Sequence, residues 1–231
     1  MSCKTGSSIK IFDSINYLLI SVLCITTVYP FLNALAYSFS SGMEANIRVV
    51  TLVPVKFTMS NYTTVLSNPS VLYSLLVSFS RTGLGIMVHV TVVCTAAYSI
   101  SKKDLLFRRF WMVLFVIPLY FNGGLIPYFA LINKLGLINN FLVYVIPVAF
   151  NSFELLVVKA YFESLSESIE ESAMIDGAGR LLMFLKIVIP VSTPIIATIV
   201  LFHGVFQWNS WLDAMLFVPK ARLQPLQMLL Q

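Results

Sequence analysis

Residues 15–39 run for 25 positions without a charged side chain. About 20 apolar residues are enough to carry a helix across the hydrocarbon core of a bilayer. Inside lipid the backbone must satisfy its own hydrogen bonds, so such a run can only be helical. A cleaved signal has an apolar region of about 7–15 residues with small residues at the cut. The stretch is therefore read as a retained first span, kinked at Pro30. Composition points the same way: 58% of the chain is hydrophobic, 11% is charged and mean hydropathy is +0.87, whereas a soluble domain carries about 25% charged residues. The expectation is an all-α integral membrane protein. Net charge is +5, but the basic residues are scattered, which gives nucleic-acid binding no support. Cys3, Cys24 and Cys94 lie far apart, without disulfide or metal spacing.

Four more spans are expected. Residues 70–100 form the second and carry Arg81 and His89. Lys102, Lys103, Arg108 and Arg109 follow closely, and such clustering in a short loop marks the cytoplasmic side. Residues 1–14, two spans earlier, belong on that side too, as a cytoplasmic N-terminal segment. Residues 15–231 then form the transmembrane domain of a multi-pass protein of the cytoplasmic membrane. The 40–69 connection shows no sustained helical period and is placed outside. Residues 107–132 form the third span. Its Pro118, Asn122, Gly123, Gly124 and Pro127 exclude a straight lipid-facing helix, because freed backbone groups in hydrocarbon cost several kcal/mol each. The break either packs on a neighbouring helix or lines a path. Residues 141–161, with Pro147, Asn151 and Glu154, form the fourth span, and residues 190–208 the fifth. No sixth span is visible in residues 209–231.

Between the fourth and fifth spans lies a polar island, residues 163–190. It holds five of the ten acidic residues: Glu163, Glu167, Glu170, Glu171 and Asp176. Ser164 with Glu167 reads as a capping box that starts a helix near Leu165. Leu165, Ile169 and Ala173 line its apolar face. Gly177 supplies the backbone freedom a helix end needs, and Pro190 suits the first turn of a further helix.

Glu171-Ser172-Ala173-Met174-Ile175-Asp176-Gly177-Ala178, with Ile187 and Pro190, resembles the EAA loop of the inner-membrane permease subunits of ABC importers. Ser172 stands where that family usually has alanine. Asn122-Gly123-Gly124-Leu125-Ile126-Pro127, Leu135-Gly136-Leu137, Trp208-Asn209-Ser210-Trp211 and Pro225-Leu226-Gln227 resemble its carbohydrate-type members, which import oligosaccharides derived from complex polysaccharides. The resemblance implies a type I ABC importer permease bundle with a sixth helix. It also implies a coupling helix that docks on a cytoplasmic ATPase, with Glu170, Glu171, Ala173, Asp176, Gly177, Ala178 and Pro190 as the coupling residues. The implied partners are a second homologous permease, two ATPase subunits and an extracellular solute-binding lipoprotein. The resemblance tips the third-span break towards a path lining. Sugars bind by stacking on aromatic rings and through polar groups in partly apolar clefts. Phe121, Asn122, Gly124, Trp208, Asn209 and Trp211 are the candidate path residues; anchoring at the membrane interface is the other reading of the tryptophans.

No G-x-x-x-x-G-K-[ST] phosphate loop, G-x-S-x-G or H-E-x-x-H occurs. The chain is read as a transport subunit without its own ATPase motif, with no bound cofactor or metal; ATP is used by the partner subunits. Alternatives are a permease for another solute and an ion-coupled secondary transporter, the latter suggested by Arg81 and Glu154 inside spans. Their similar depth, about 15 and 20 Å at 1.5 Å per residue, lets them pair if their spans are neighbours. Otherwise each must find polar partners inside the protein.

Overall fold

The structure, a computed structural model, describes residues 7–42, 50–121, 123–166, 174 and 177–231. The chain divides into two compact units, Met1–Pro69 and Ser70–Gln231. Its described residues are helical apart from turns, irregular stretches and one isolated bridge between Ser40 and Phe57.

The first unit is built on helix α1, Ser7–Ser38, with Pro30 inside it. Leu18, Leu23 and Phe31 are exposed along it, as in a helix whose solvent is lipid. Its polar side chains turn back on their own backbone: Thr26 and Thr27 donate to Val22 O and Leu23 O at 2.9 and 2.7 Å. After α1 the chain is tied by side chains. Asn33 Nδ2 donates to Val50 O (2.7 Å) and Thr51 O (2.8 Å). Ser40 donates to Ala36 O at 2.7 Å and accepts from Val55 N at 3.0 Å. Here the structure adds an element that the 40–69 reading lacked, a short helix α2, Ser60–Leu66. Asn61 Nδ2 and the ring of Tyr62 fix α2 to the end of α1 through Ser38 O, Ser40 O and Phe39.

The second unit is organised by α3, Pro69–Ser101. Ser74, Ser78, Arg81, Gly85, His89, Val93 and Ala97 are buried, a spacing of three or four residues that defines one helix face. The third span is broken as its composition requires. Helix α4, Arg108–Tyr120, and helix α5, Leu125–Lys134, meet at 120°. Gly136 (φ +67°) closes α5: Leu137 N bonds Ile132 O across it, an ending that favours glycine.

The fourth span differs from the continuous helix expected over 141–161. Phe141–Tyr144 is a 3₁₀ turn capped by Asn140, and helix α6 covers only Ser152–Glu163. Two residues explain this. Pro147 removes a donor, and Asn151 Oδ1 accepts from Phe153 N (2.9 Å) and Glu154 N (3.1 Å), so it caps a helix start. Leu165 and Ser166 are not helical; the rest of the helix expected from near Leu165, with Glu167, Ile169 and Ala173, lies outside the described residues except Met174, which is helical. Ser164 instead closes α6, its hydroxyl donating to Tyr161 O at 2.7 Å.

Helix α7, Arg180–Val191, contains a π turn over Phe184–Val188 and bends by 80° into α8, Thr193–Asn209. Pro190 lacks an N–H and its ring crowds the carbonyl four residues back; the wider π turn just before it relieves that conflict. Pro190 therefore sits late in α7, and it is Pro194 that occupies the first turn of α8. Two short helices complete the unit: α9, Leu212–Phe217, and α10, Leu226–Leu229. One apolar core joins α3, α6, α7 and α8 through Val93, Tyr98, Leu155, Phe162, Phe184 and Ile199. Another joins α5 and the 3₁₀ turn to α9 through Ile132, Tyr144 and Phe217.

Candidate translocation path and coupling segment

The buried face of α3 meets Ile199, His203 and Gln207, spaced by four on α8. Gly85 makes room for this approach: a Cβ there would stand 2.3 Å from Gln207 Nε2. Arg81 is 1% exposed and its whole guanidinium is used. It donates to Gln207 Oε1 (3.0 and 3.2 Å), Ser210 O (3.0 Å) and both carboxylate oxygens of Asp213 (2.5 and 3.3 Å). Its carbon centre lies 4.3 Å from the centroid of the Tyr144 ring. Gln207 Nε2 in turn donates to Tyr144 O at 2.8 Å.

One turn further along α8, His203 stacks on His89, with ring centroids 3.8 Å apart and planes within 4°. His89 Nε2 lies 2.5 Å from Glu154 Oε2. Arg81 and Glu154 therefore do not pair. Each faces the interior and finds its own partner, because Glu154 sits opposite His89, two turns or about 12 Å along α3 from Arg81. Ligand atoms of His89, Glu154 and His203 lie within 4.8 Å of one another. The parallel rings hold their nitrogen lone pairs in two parallel planes, an arrangement that suits stacking and a hydrogen bond rather than convergence on one ion.

Gly124 (φ +80°) turns the chain between α4 and α5, and beside it lies a cleft of about 750 Å³ lined by Gly123, Gly124, Leu125, Pro127, Tyr128 and Leu131. Of the described path candidates, Gly124 belongs to this lining. Phe121 is 75% exposed. Trp208 is half-buried, its ring edge-on to Phe79 at 5.2 Å. Asn209 donates back to Val205 O at 2.8 Å, and Trp211 is half-buried just before α9. Asn122 lies outside the described residues. Tyr128 and Tyr144 were missed as partners of these elements; aromatic residues are so frequent here that neither carries a sequence signal.

In the island, Glu170, Glu171, Ala173 and Asp176 lie outside the described residues. Gly177 is exposed with φ +81°, its N–H bonded to Met174 O at 3.0 Å, and Ala178 is half-buried. Charged residues bracket the segment. Glu163, the last residue of α6, accepts from Arg108 at 2.5 Å and Lys159 at 2.7 Å. Arg180, the first residue of α7, pairs with Asp104. The Arg180 guanidinium holds the exposed Asp104 carboxyl below its usual range, so Asp104 is charged at neutral pH.

Apolar helices long enough to cross a membrane, two bent helix pairs and charges satisfied inside the protein together define a multi-pass membrane protein. No protein-family model matches the chain. The polygalacturonan/rhamnogalacturonan transport system permease protein YtcP of Bacillus subtilis is 36% identical over 222 residues, spanning 96% of this chain and 78% of the relative. Protein LplC of the same organism is 34% identical, spanning 96% and 75%. A bacterial ABC transporter involved in the import of the acidic polysaccharide alginate superposes with TM-score 0.95 at 31% identity, over 99% of this chain and 82% of that one. The chain belongs to the carbohydrate permease subunits of ABC importers.

Proposed function

We propose that this permease moves oligosaccharides across the cytoplasmic membrane by alternating access, driven by a separate ATPase that acts on the 163–190 segment. The observation that carries the reading is the exposed Gly177 turn between two ion-paired helix ends, Glu163 and Arg180. A polar segment fixed at its ends passes a push to the spans beside it. ATP is bound and hydrolysed by the partner subunits. A second permease completes the bundle, an extracellular lipoprotein delivers the sugar, and residues 1–14 lie in the cytoplasm. Oligosaccharide as the substrate class draws support from the polygalacturonan/rhamnogalacturonan system of YtcP and from the alginate importer. An ion-coupled mechanism would draw on Arg81 and Glu154, both engaged by Asp213 and His89.

The test is uptake by the complete complex in proteoliposomes, with trigalacturonate, a mannuronate trimer, maltotriose and arabinotriose offered in parallel. ATP-dependent uptake of at least one sugar is expected; hydrolysis without uptake of any sinks the substrate class. Gly177→Val places a β-branched residue at φ +81°, which it resists. Hydrolysis should continue while uptake collapses, and normal uptake by this variant would refute the coupling role.

A further inference from the structure

The two ion pairs beside the coupling segment converge on residues 102–109, the connection that follows α3 together with the first two residues of α4. Asp104, in its middle, holds Arg180 at the start of α7. Arg108, at its end, holds Glu163 at the end of α6 and also donates through Nε to Ile100 O in the last turn of α3 at 2.9 Å. Lys159 shares the Glu163 carboxylate from one turn earlier on α6. Both ends of a segment that begins and ends in different helices are thus fixed to the same short turn.

We infer that the 102–109 turn is a clamp that gathers motion of the coupling segment and passes it into α4, with Asp104, Arg108, Glu163 and Arg180 as its positioning residues. The inference rests on the coupling role proposed above and adds the route. The segment is covalently joined to α6 and α7, and α6 packs along α4; the clamp adds a direct tie from both ends of the segment to the base of α4. With it, a push on residues 164–179 is delivered to the base of α4, whose far end carries the Gly123–Gly124 break and the cleft beside it. The Asp104–Arg180 pair is exposed (side chains 59% and 66%), whereas Arg108 and Glu163 are about one-third exposed and Lys159, on the same carboxylate, is 11% exposed. Exposed pairs contribute little to stability, so removal of the Asp104–Arg180 pair leaves a folded protein, and a role in transmission can be read apart from folding.

The experiment uses the complete complex in proteoliposomes, with the best-transported sugar of the four above as probe. Asp104→Arg, Arg180→Asp, the two together, and Glu163→Gln are compared for sugar taken up per ATP hydrolysed. Each single change should lower that ratio by about fivefold, the factor that ~1 kcal/mol of lost coupling represents. ATP hydrolysis stays near the parent's throughout, and so does the thermal midpoint of the Asp104 and Arg180 variants; Glu163→Gln, which leaves the buried Lys159 without its carboxylate, is read by its ratio against its own midpoint. The double reversal restores the Asp104–Arg180 attraction in the opposite sense and should recover most of the ratio. Single reversals with the parent's ratio, or a double reversal no better than the singles, overturn the clamp. Gly177→Val run alongside separates the two ideas. Uncoupling by Gly177→Val with unaffected reversals removes the clamp and leaves the coupling segment standing. A parent-like ratio in Gly177→Val removes the coupling segment and the clamp with it.

Discussion

Single side chains decide how tightly α3 and α8 approach. Gln207 is fully buried and bonded on both sides, to Arg81 and to Tyr144 O, so it cannot retreat from an intruding methyl. Gly85→Ala should therefore lower stability by about 1–3 kcal/mol, as overpacking does. Gly83→Ala, with nothing within 4 Å of its Cβ, is the control; equal thermal midpoints for the two variants would contradict the account. Arg81→Leu strands Asp213, whose side chain keeps 19% exposure. The expected loss is about 3 kcal/mol, the lower end for breaking a buried pair, and Arg81→Leu combined with Asp213→Asn should recover part of it. The burial of Arg81 and Glu154 was legible in the sequence, because a charge within a span must face protein. Their partners were not. Asp213 lies beyond the last apolar span, in residues 209–231, and His89 and His203 lie in separate spans more than 100 residues apart. Only the four-residue spacing shared by 81, 85 and 89 on α3 and by 199, 203 and 207 on α8 hints that these side chains meet.

At the level of elements, prolines and asparagines separate what periodicity alone joins. Residues 141–161 are mostly apolar, with Asn151 and Glu154 among them, so a single helix was the natural reading. Pro147 and the Asn151 cap cut it to the 12 residues of α6. The break between α4 and α5 was readable because Gly123, Gly124 and Pro127 cluster there. The π turn in α7 was not, since a widened turn leaves the apolar pattern intact. It does make a prediction. Pro190→Ala restores an N–H that can bond Lys186 O, so the π turn should relax towards α-helical bonding and amide exchange over 184–191 should slow. Unchanged exchange would mean that the π turn has another cause. Cysteine accessibility tests the path: a probe at 122 or 125 should react differently in ATP-free and vanadate-trapped complex, and a site unreactive in both does not line the route.

Across the whole molecule, the membrane character, the polar island and the family were readable from composition and from the 171–190 pattern. The division of labour among side chains emerged only from the fold, because it depends on residues far apart in sequence. Arg81 bonds a partner 132 residues later, and His89 one 65 residues later. That separation has a consequence in time. At about 5–20 residues per second of synthesis, Arg81 is made roughly 7–26 seconds before Asp213. Over that interval a span bearing an arginine, disfavoured by about 2.5–3.5 kcal/mol at a membrane centre, has no internal counter-charge. Its biogenesis must bridge the delay by holding α3 at the edge of the insertion machinery or by letting the guanidinium reach the lipid headgroups. A nascent chain arrested before residue 213 should accordingly remain extractable or protease-sensitive at α3, and one arrested well beyond it should not.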